Sequence, residues 1–238
     1  MKTHCTIVTL ILGGLALTAS AEPRLAMREG AHAFEQGLFT NAVAAFDTAA
    51  QEAPSAGLDP GVARFNRGVA LFRDKQWEPA HDTFLTAEKA ADMEIQGMAL
   101  YNAGVTRLHQ VAEALNEGNG TNLEAHLNQA IDHFDRSLLI RPDQPNVRLN
   151  LEHALAQRAA LHRAIVELQS SIQRADQLII AHEFTQAHSL LTNANQRLAP
   201  ILKLGRPEAK TFEQYLKRTG QIVQILEGST NNPPAISQ

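Results

Sequence analysis

The chain has 238 residues, a formal net charge of −4 and a single cysteine, Cys5. One cysteine permits no internal disulfide and no cysteine-ligated metal site, so the fold must stand on its apolar core. The mild negative charge gives no electrostatic footprint for nucleic acid or an anionic membrane.

The first residues, "MKTHCTIVTLILGGLALTASAEP", place Lys2 before an apolar run from Cys5 to Leu17, which ends at Ala19-Ser20-Ala21. That is the layout of a secretory signal over residues 1–21, with cleavage expected after Ala21. The run is shorter than the roughly 20 residues a membrane-spanning helix needs, and a retained anchor is the alternative. The expected location is the periplasm or the outside of the cell. No stretch beyond the signal is apolar enough to span a bilayer.

Apolar periodicity predicts helices over 23–36, 39–52, 61–74, 77–91, 95–117, 122–140 and 145–182. Pro23, Pro54, Pro60, Pro142, Pro145, Pro200 and Pro207 fall at the expected helix boundaries, and Pro79 fits a first turn, where its missing N–H has no helical partner. In the long 145–182 segment, Leu161, Ile165, Leu168, Ile172, Ala175 and Ile179 form one apolar stripe. "EFTQAHSLLTNA" then places Phe184, Ala187, Leu191 and Ala194 at helix spacing. A last helix near 207–227 carries Phe212, Tyr215, Leu216, Ile222, Val223 and Leu226, and the tail from 229 to 238 reads as disordered.

Three glycines set a repeat. Twelve residues after Gly30 stands Ala42, followed by Phe46; twelve after Gly68 stands Ala80, followed by Phe84. The copy that starts at Gly104 is interrupted near 109–122 by turn-rich "NEGNGTN" and resumes about fourteen residues late at Ala130 and Phe134. Gly68 inside a helix costs about 1 kcal/mol relative to alanine. Close packing of two helices, opposite small residues such as Ala80, explains it. The phenylalanines are expected to fill the space between hairpins.

These spacings resemble the tetratricopeptide repeat (TPR), with its Gly…Tyr…Ala…Phe…Ala…Pro pattern over about 34 residues. The resemblance implies an all-α solenoid of antiparallel hairpins. Three hairpins would occupy 22–142, a long helix and a TPR-like hairpin 143–199, and a capping helix 206–228. An ordinary amphipathic bundle is the alternative. Over roughly residues 60–160, "YNAG" at Tyr101–Gly104 and "NLEHA" at Asn150–Ala154 are similar to the periplasmic TPR proteins of the bacterial aerotolerance (Bat) group. That likeness implies a non-catalytic scaffold in an envelope complex, with protein or peptide partners that include a von Willebrand factor A-domain protein.

In TPR stacks the first helix of each hairpin lines a concave groove. The resemblance thus assigns peptide binding to Phe65, Asn66, Val69, Arg73, Tyr101, Asn102, Val105, Leu149, Asn150 and His153. The basic clamp that grips a C-terminal carboxylate in some TPR proteins is absent from Met27, Ala31, Phe65, Val69, Tyr101 and Val105. Asn66, Asn102 and Asn150 share one helix position, similar to the asparagine ladder of O-linked N-acetylglucosamine transferases. A carboxamide can donate to and accept from a peptide backbone; bridging neighbouring helices is the other reading.

Enzyme chemistry finds little footing, and no cofactor is expected. G-x-S-x-G, a phosphate loop and H-E-x-x-H are all missing. His126 and His133 stand seven apart, His182 and His188 six apart, and neither spacing builds a zinc site on a helix. The histidines read as scattered over the surface. Glu113 and Glu117 read as a solvated helix face. Two alternatives to the aerotolerance-type scaffold stay open: an assembly factor for outer membrane or cell wall, and a helical enzyme acting on the cell wall.

Overall fold

The computed structural model describes residues 21–231, and among these the chain is all-helical, with nine α-helices, one 3-10 turn and no strand. Of the expected signal over 1–21, residues 1–20 lie outside the described residues, as do 232–238 of the tail expected over 229–238. The helices are α1 (Ala21–Glu35), α2 (Phe39–Glu52), α3 (Gly61–Arg73), α4 (Trp77–Ala87), α5 (Met93–Glu117), α6 (Leu123–Ile140), α7 (Pro145–Ile180), α8 (Phe184–Leu202) and α9 (Pro207–Asn231). Packing runs between chain neighbours: α1 on α2, α2 on α3, α3 on α4, and α8 on α9.

Two compact units result. Residues up to Ala112 with Glu124–Ala156 make the first, and Glu113–Leu123 with the chain from Gln157 onward make the second. Phe46, Phe65, Phe84 and Phe134 are sealed in the first unit, Leu168, Leu191 and Phe212 in the second.

Proline explains most starts. Pro145 and Pro207 are first residues of their helices, and Pro79 is the third residue of α4. Pro200 departs from expectation, because α8 continues through it to Leu202. Leu198, Ile201 and Leu202 are all buried, so packing carries the last turn past the proline. α9 likewise runs through Gly228 to Asn231, three residues into the expected tail.

The turns repeat more closely than the sequence. α1, α3, α5 and α7 are each followed by a residue in the left-handed region: Gly37 (φ 75), Lys75 (φ 59), Gly118 (φ 69) and His182 (φ 60). The next amide reaches back five residues, Leu38 to Ala33 at 2.9 Å, Gln76 to Leu71 at 3.0 Å, Asn119 to Ala114 at 2.8 Å and Glu183 to Leu178 at 2.8 Å. This closure satisfies carbonyls that a helix end leaves open.

These turns show where the insertion in the third copy went. Gly37 and Lys75 stand seven residues after Gly30 and Gly68, whereas Gly118 stands fourteen after Gly104. On the far side, Ala42 and Ala80 stand five residues after the turn residue and Ala130 stands twelve. Each helix of this hairpin has gained seven residues, about two turns, so both faces keep their register. The turn-rich stretch Asn116–Asn122 stays the connection, with only Asn116 and Glu117 inside α5.

The α7–α8 turn follows the same spacing. Ala175 stands seven residues before His182, Ala187 five after it, and Leu191 where the phenylalanine would be. Ala175, Ala187 and Leu191 are fully buried. Alanine for glycine is matched by leucine for phenylalanine, which roughly conserves volume.

Candidate functional site

The repeat residues are brought together in pairs. A β-carbon built on Gly30 would stand 2.7 Å from the Phe46 ring, one on Gly68 2.6 Å from Phe84, and one on Gly104 2.6 Å from Phe134. The glycines therefore face the rings of their own hairpins. The expectation that Gly68 opposes Ala80 is corrected, because the three atoms nearest that β-carbon all belong to Phe84; Phe46 also clusters with Ala70 of the next hairpin, as a ring between hairpins should. Ala42, Ala80 and Ala130 are fully buried beside them.

Most of the residues assigned to a peptide groove are inside the core. Phe65, Asn66, Val69, Tyr101, Asn102 and Val105 are all buried, and Phe65 packs on Phe84 with ring centroids 5.9 Å apart. Asn150 donates from Nδ2 to the Tyr101 hydroxyl at 3.1 Å, joining α7 to α5. Asn66 and Asn102 are 1% and 2% exposed, so neither can present a carboxamide to a peptide in this conformation. Arg73 and Leu149 are exposed, and Asn150 and His153 are half-buried.

Arg73 is held by rings rather than by a groove. Its guanidinium lies 5.6 Å from the centroids of both Phe34 and Phe39, and these two rings meet edge-on at 5.5 Å. One repeat later the pattern recurs: Phe72 and Trp77 meet edge-on at 5.0 Å, and His109 stacks on Trp77 at 5.1 Å. Each aromatic pair closes one hairpin and is covered by a residue five beyond the glycine of the next repeat. Arg73→Ala is expected to lower stability by about 0.5–1 kcal/mol in urea unfolding, with Arg73→Lys keeping part of the difference.

A polar cluster with no signature in residue spacing lies between α4, α5 and α6. Arg107, 5% exposed, grips Glu78 through both nitrogens, Nη1 to Oε2 at 2.6 Å and Nη2 to Oε1 at 3.0 Å. Gln110 donates to the same carboxylate at 2.7 Å. These contacts, Arg107 first, hold the Glu78 carboxyl at about 2 against burial, which works the other way. Arg107 Nη2 also lies 3.0 Å from His81 Nδ1, and His81 Nε2 lies 3.0 Å from His133 Nε2. His81 and His133 are thus core residues, correcting the surface reading of the histidines. Their positions on two different helices hid the pairing.

Tautomers follow from the donors. A guanidinium can only donate, so His81 Nδ1 accepts. Its hydrogen is then on Nε2 and is donated to His133 Nε2, which leaves the His133 hydrogen on Nδ1. Asp82 Oδ1 also lies 3.2 Å from His81 Nδ1, and its side chain is 70% exposed, so water solvates it in this state.

Glu78, His81 and Asp82 offer ligand atoms all within 4.8 Å of one another, the spacing a metal ion requires. Arg107 already bonds both Glu78 and His81 there, and a second cation would face a permanent positive charge. In this arrangement the donors of Glu78 and His81 are engaged by Arg107 as part of the fold. In the second unit, an open depression of about 610 Å³ is lined by Leu178, Thr185, Ser189, Asn193 and Arg197, among others. Its arginine pairs with Glu167 at 2.9 Å. Glu113 and Glu117 are exposed on α5.

The class these contacts define is an all-α protein of consecutively packed helices with recurring turns. No protein-family model and no curated protein matches the chain.

Proposed function

We propose that the chain is an exported, non-catalytic TPR-type scaffold that binds partner proteins in the cell envelope. One observation carries this reading. The same glycine–phenylalanine contact recurs in three hairpins, and the same left-handed turn recurs in four. Stacked repeats of this kind serve as extended binding surfaces. The partner-binding face moves from the buried positions to those left open. Leu149 on α7 is 56% exposed and is flanked by the half-buried Asn150 and His153. The export signal at 1–21 supports an envelope location, and the "YNAG" and "NLEHA" motifs support the aerotolerance-type assignment with a von Willebrand factor A-domain partner.

A photo-crosslinking residue at Leu149 in the full chain, expressed in its own host, tests the reading. The expected result is one discrete envelope-protein adduct, lost with Asn150→Ala and His153→Ala and absent when the crosslinker replaces Glu113. N-terminal sequencing of the product should begin at Glu22. No adduct at Leu149, or an intact Met1 in a cytoplasmic product, would overturn the proposal. A von Willebrand factor A-domain gene beside this one is expected; its absence would remove the aerotolerance assignment and leave the scaffold reading.

A further inference from the structure

α4 and α6 meet in the first unit through two imidazoles. His81 and His133 are 4% and 6% exposed, with their Nε2 atoms 3.0 Å apart. Two ring nitrogens at this distance share one hydrogen, so one must donate and the other accept. In the neutral arrangement Arg107 bonds His81 Nδ1, His81 Nε2–H donates to His133 Nε2, and no basic nitrogen at the seam is free.

A further proton has two places to land. On His81 Nδ1 it would face the Arg107 N–H at 3.0 Å. On His133 Nε2 it would face the His81 N–H at 3.0 Å. Either position opposes two N–H groups. One rearrangement accepts the proton: the His81 hydrogen moves to Nδ1, where Asp82 Oδ1 lies at 3.2 Å, and His133 Nε2–H donates to the freed His81 Nε2. The pair then holds three hydrogens and one positive charge, and the Arg107–His81 bond is gone.

We propose that the His81–His133 pair is an acid-operated latch: neutral, it fastens α4 to α6 and to Arg107 on α5; protonated, it holds a buried positive charge without the Arg107 bond, so proton uptake favours the state in which α6 has parted from α4 and both rings reach water. The latch does not rest on the scaffold reading and holds whether or not the chain is exported. The charged groups that face it are Glu78 and Asp82 on α4, Arg107 on α5, and Asp132 and Arg136 on α6. Asp132 Oδ2 lies 3.7 Å from His133 Nδ1 and favours the protonated state. Arg107 and Arg136 oppose it, and Arg136 is itself paired with Glu88 across the same helices.

Burial first, and then His81, holds His133 down at about 4, and burial followed by Arg107 lowers His81 as well. A value below the ordinary 6.5 means that the opened form takes up the proton first. The seam is therefore at full strength above about 6.5 and weakens as pH falls toward about 4. Glu78, held at about 2, stays ionised through this window, so its bond to Arg107 persists while the latch opens.

Amide hydrogen exchange on the full chain, corrected for intrinsic rates, tests the latch at pH 7 and pH 4.5. Protection of α6 is expected to fall by on the order of 100-fold more than that of α2, and His133→Gln should cut this difference to a few-fold. In the unmodified chain, the His133 ring signal should titrate below pH 5. An equal loss in α2 and α6, or a His133 ring that titrates near 6.5, would overturn the proposal. Both of these readouts use the unmodified chain, so they decide the matter even if His133→Gln fails to fold.

Discussion

Cutting Phe84 back to alanine is expected to destabilise the chain by about 3–5 kcal/mol, the cost of emptying a buried phenylalanine site. Phe84 is 1% exposed and touches Phe65 as well as Gly68. Gly68→Ala alone is expected to cost about 1–3 kcal/mol, because the new methyl would stand 2.6 Å from a ring with no room to move. Combining the two reverses the sign of the second change. With Phe84 gone, the Gly68 methyl enters vacated space, and alanine favours the helix over glycine by about 1 kcal/mol. The double variant should therefore be more stable than Phe84→Ala, which urea unfolding of all four proteins would show. Simple additivity would mean that the ring is not the reason for the glycine.

The same pair shows what the sequence could carry. Glycine, alanine and phenylalanine at shared offsets are local signals, and proline marks helix starts by a local rule, so hairpins and helix ends were readable from spacing. The partner of each glycine was not, since a repeat offset relates copies to one another and does not say which side chain faces which. Ala175 and Leu191 illustrate the limit. They occupy the glycine and phenylalanine positions of the α7–α8 hairpin: the spacing of Ala187, Leu191 and Ala194 marks its second helix, but alanine in place of glycine leaves the facing position on α7 unmarked.

The candidate site was less legible, for a physical reason. Projecting Phe65, Val69, Tyr101 and Val105 onto a helix face identifies a stripe, but an apolar stripe is equally a core stripe, and here the core took it. The polar cluster escaped for the opposite reason. Glu78, Arg107 and His133 lie on three helices and have no mutual spacing to detect. Arginine and histidine also read as surface residues until a partner is shown to satisfy them.

That cluster sets the second large effect, and burial decides which half of the ion pair matters more. Glu78→Ala is expected to cost about 3 kcal/mol, near the low end for a broken buried pair. The Arg107 side chain is only 6% exposed, whereas that of Glu78 is 57% exposed. Without Glu78, a desolvated guanidinium keeps only neutral acceptors, Gln110 Oε1 at 2.7 Å and His81 Nδ1 at 3.0 Å. Arg107→Met leaves the carboxylate free to rehydrate and refills the space of the arginine stem, so about 1–2 kcal/mol is expected. Acid adds a second signature. The folded Glu78 carboxyl lies at about 2, below its ordinary 4.5, so the pair's contribution is present above about 4.5 and is lost as pH falls toward about 2. Glu78→Gln should remove that loss and leave the histidine window between about 6.5 and about 4 in place. Urea unfolding at pH 7 and pH 3 separates the cases. Equal costs for Glu78→Ala and Arg107→Met would mean that Arg107 reaches water, and the whole arrangement of the cluster would have to be redrawn.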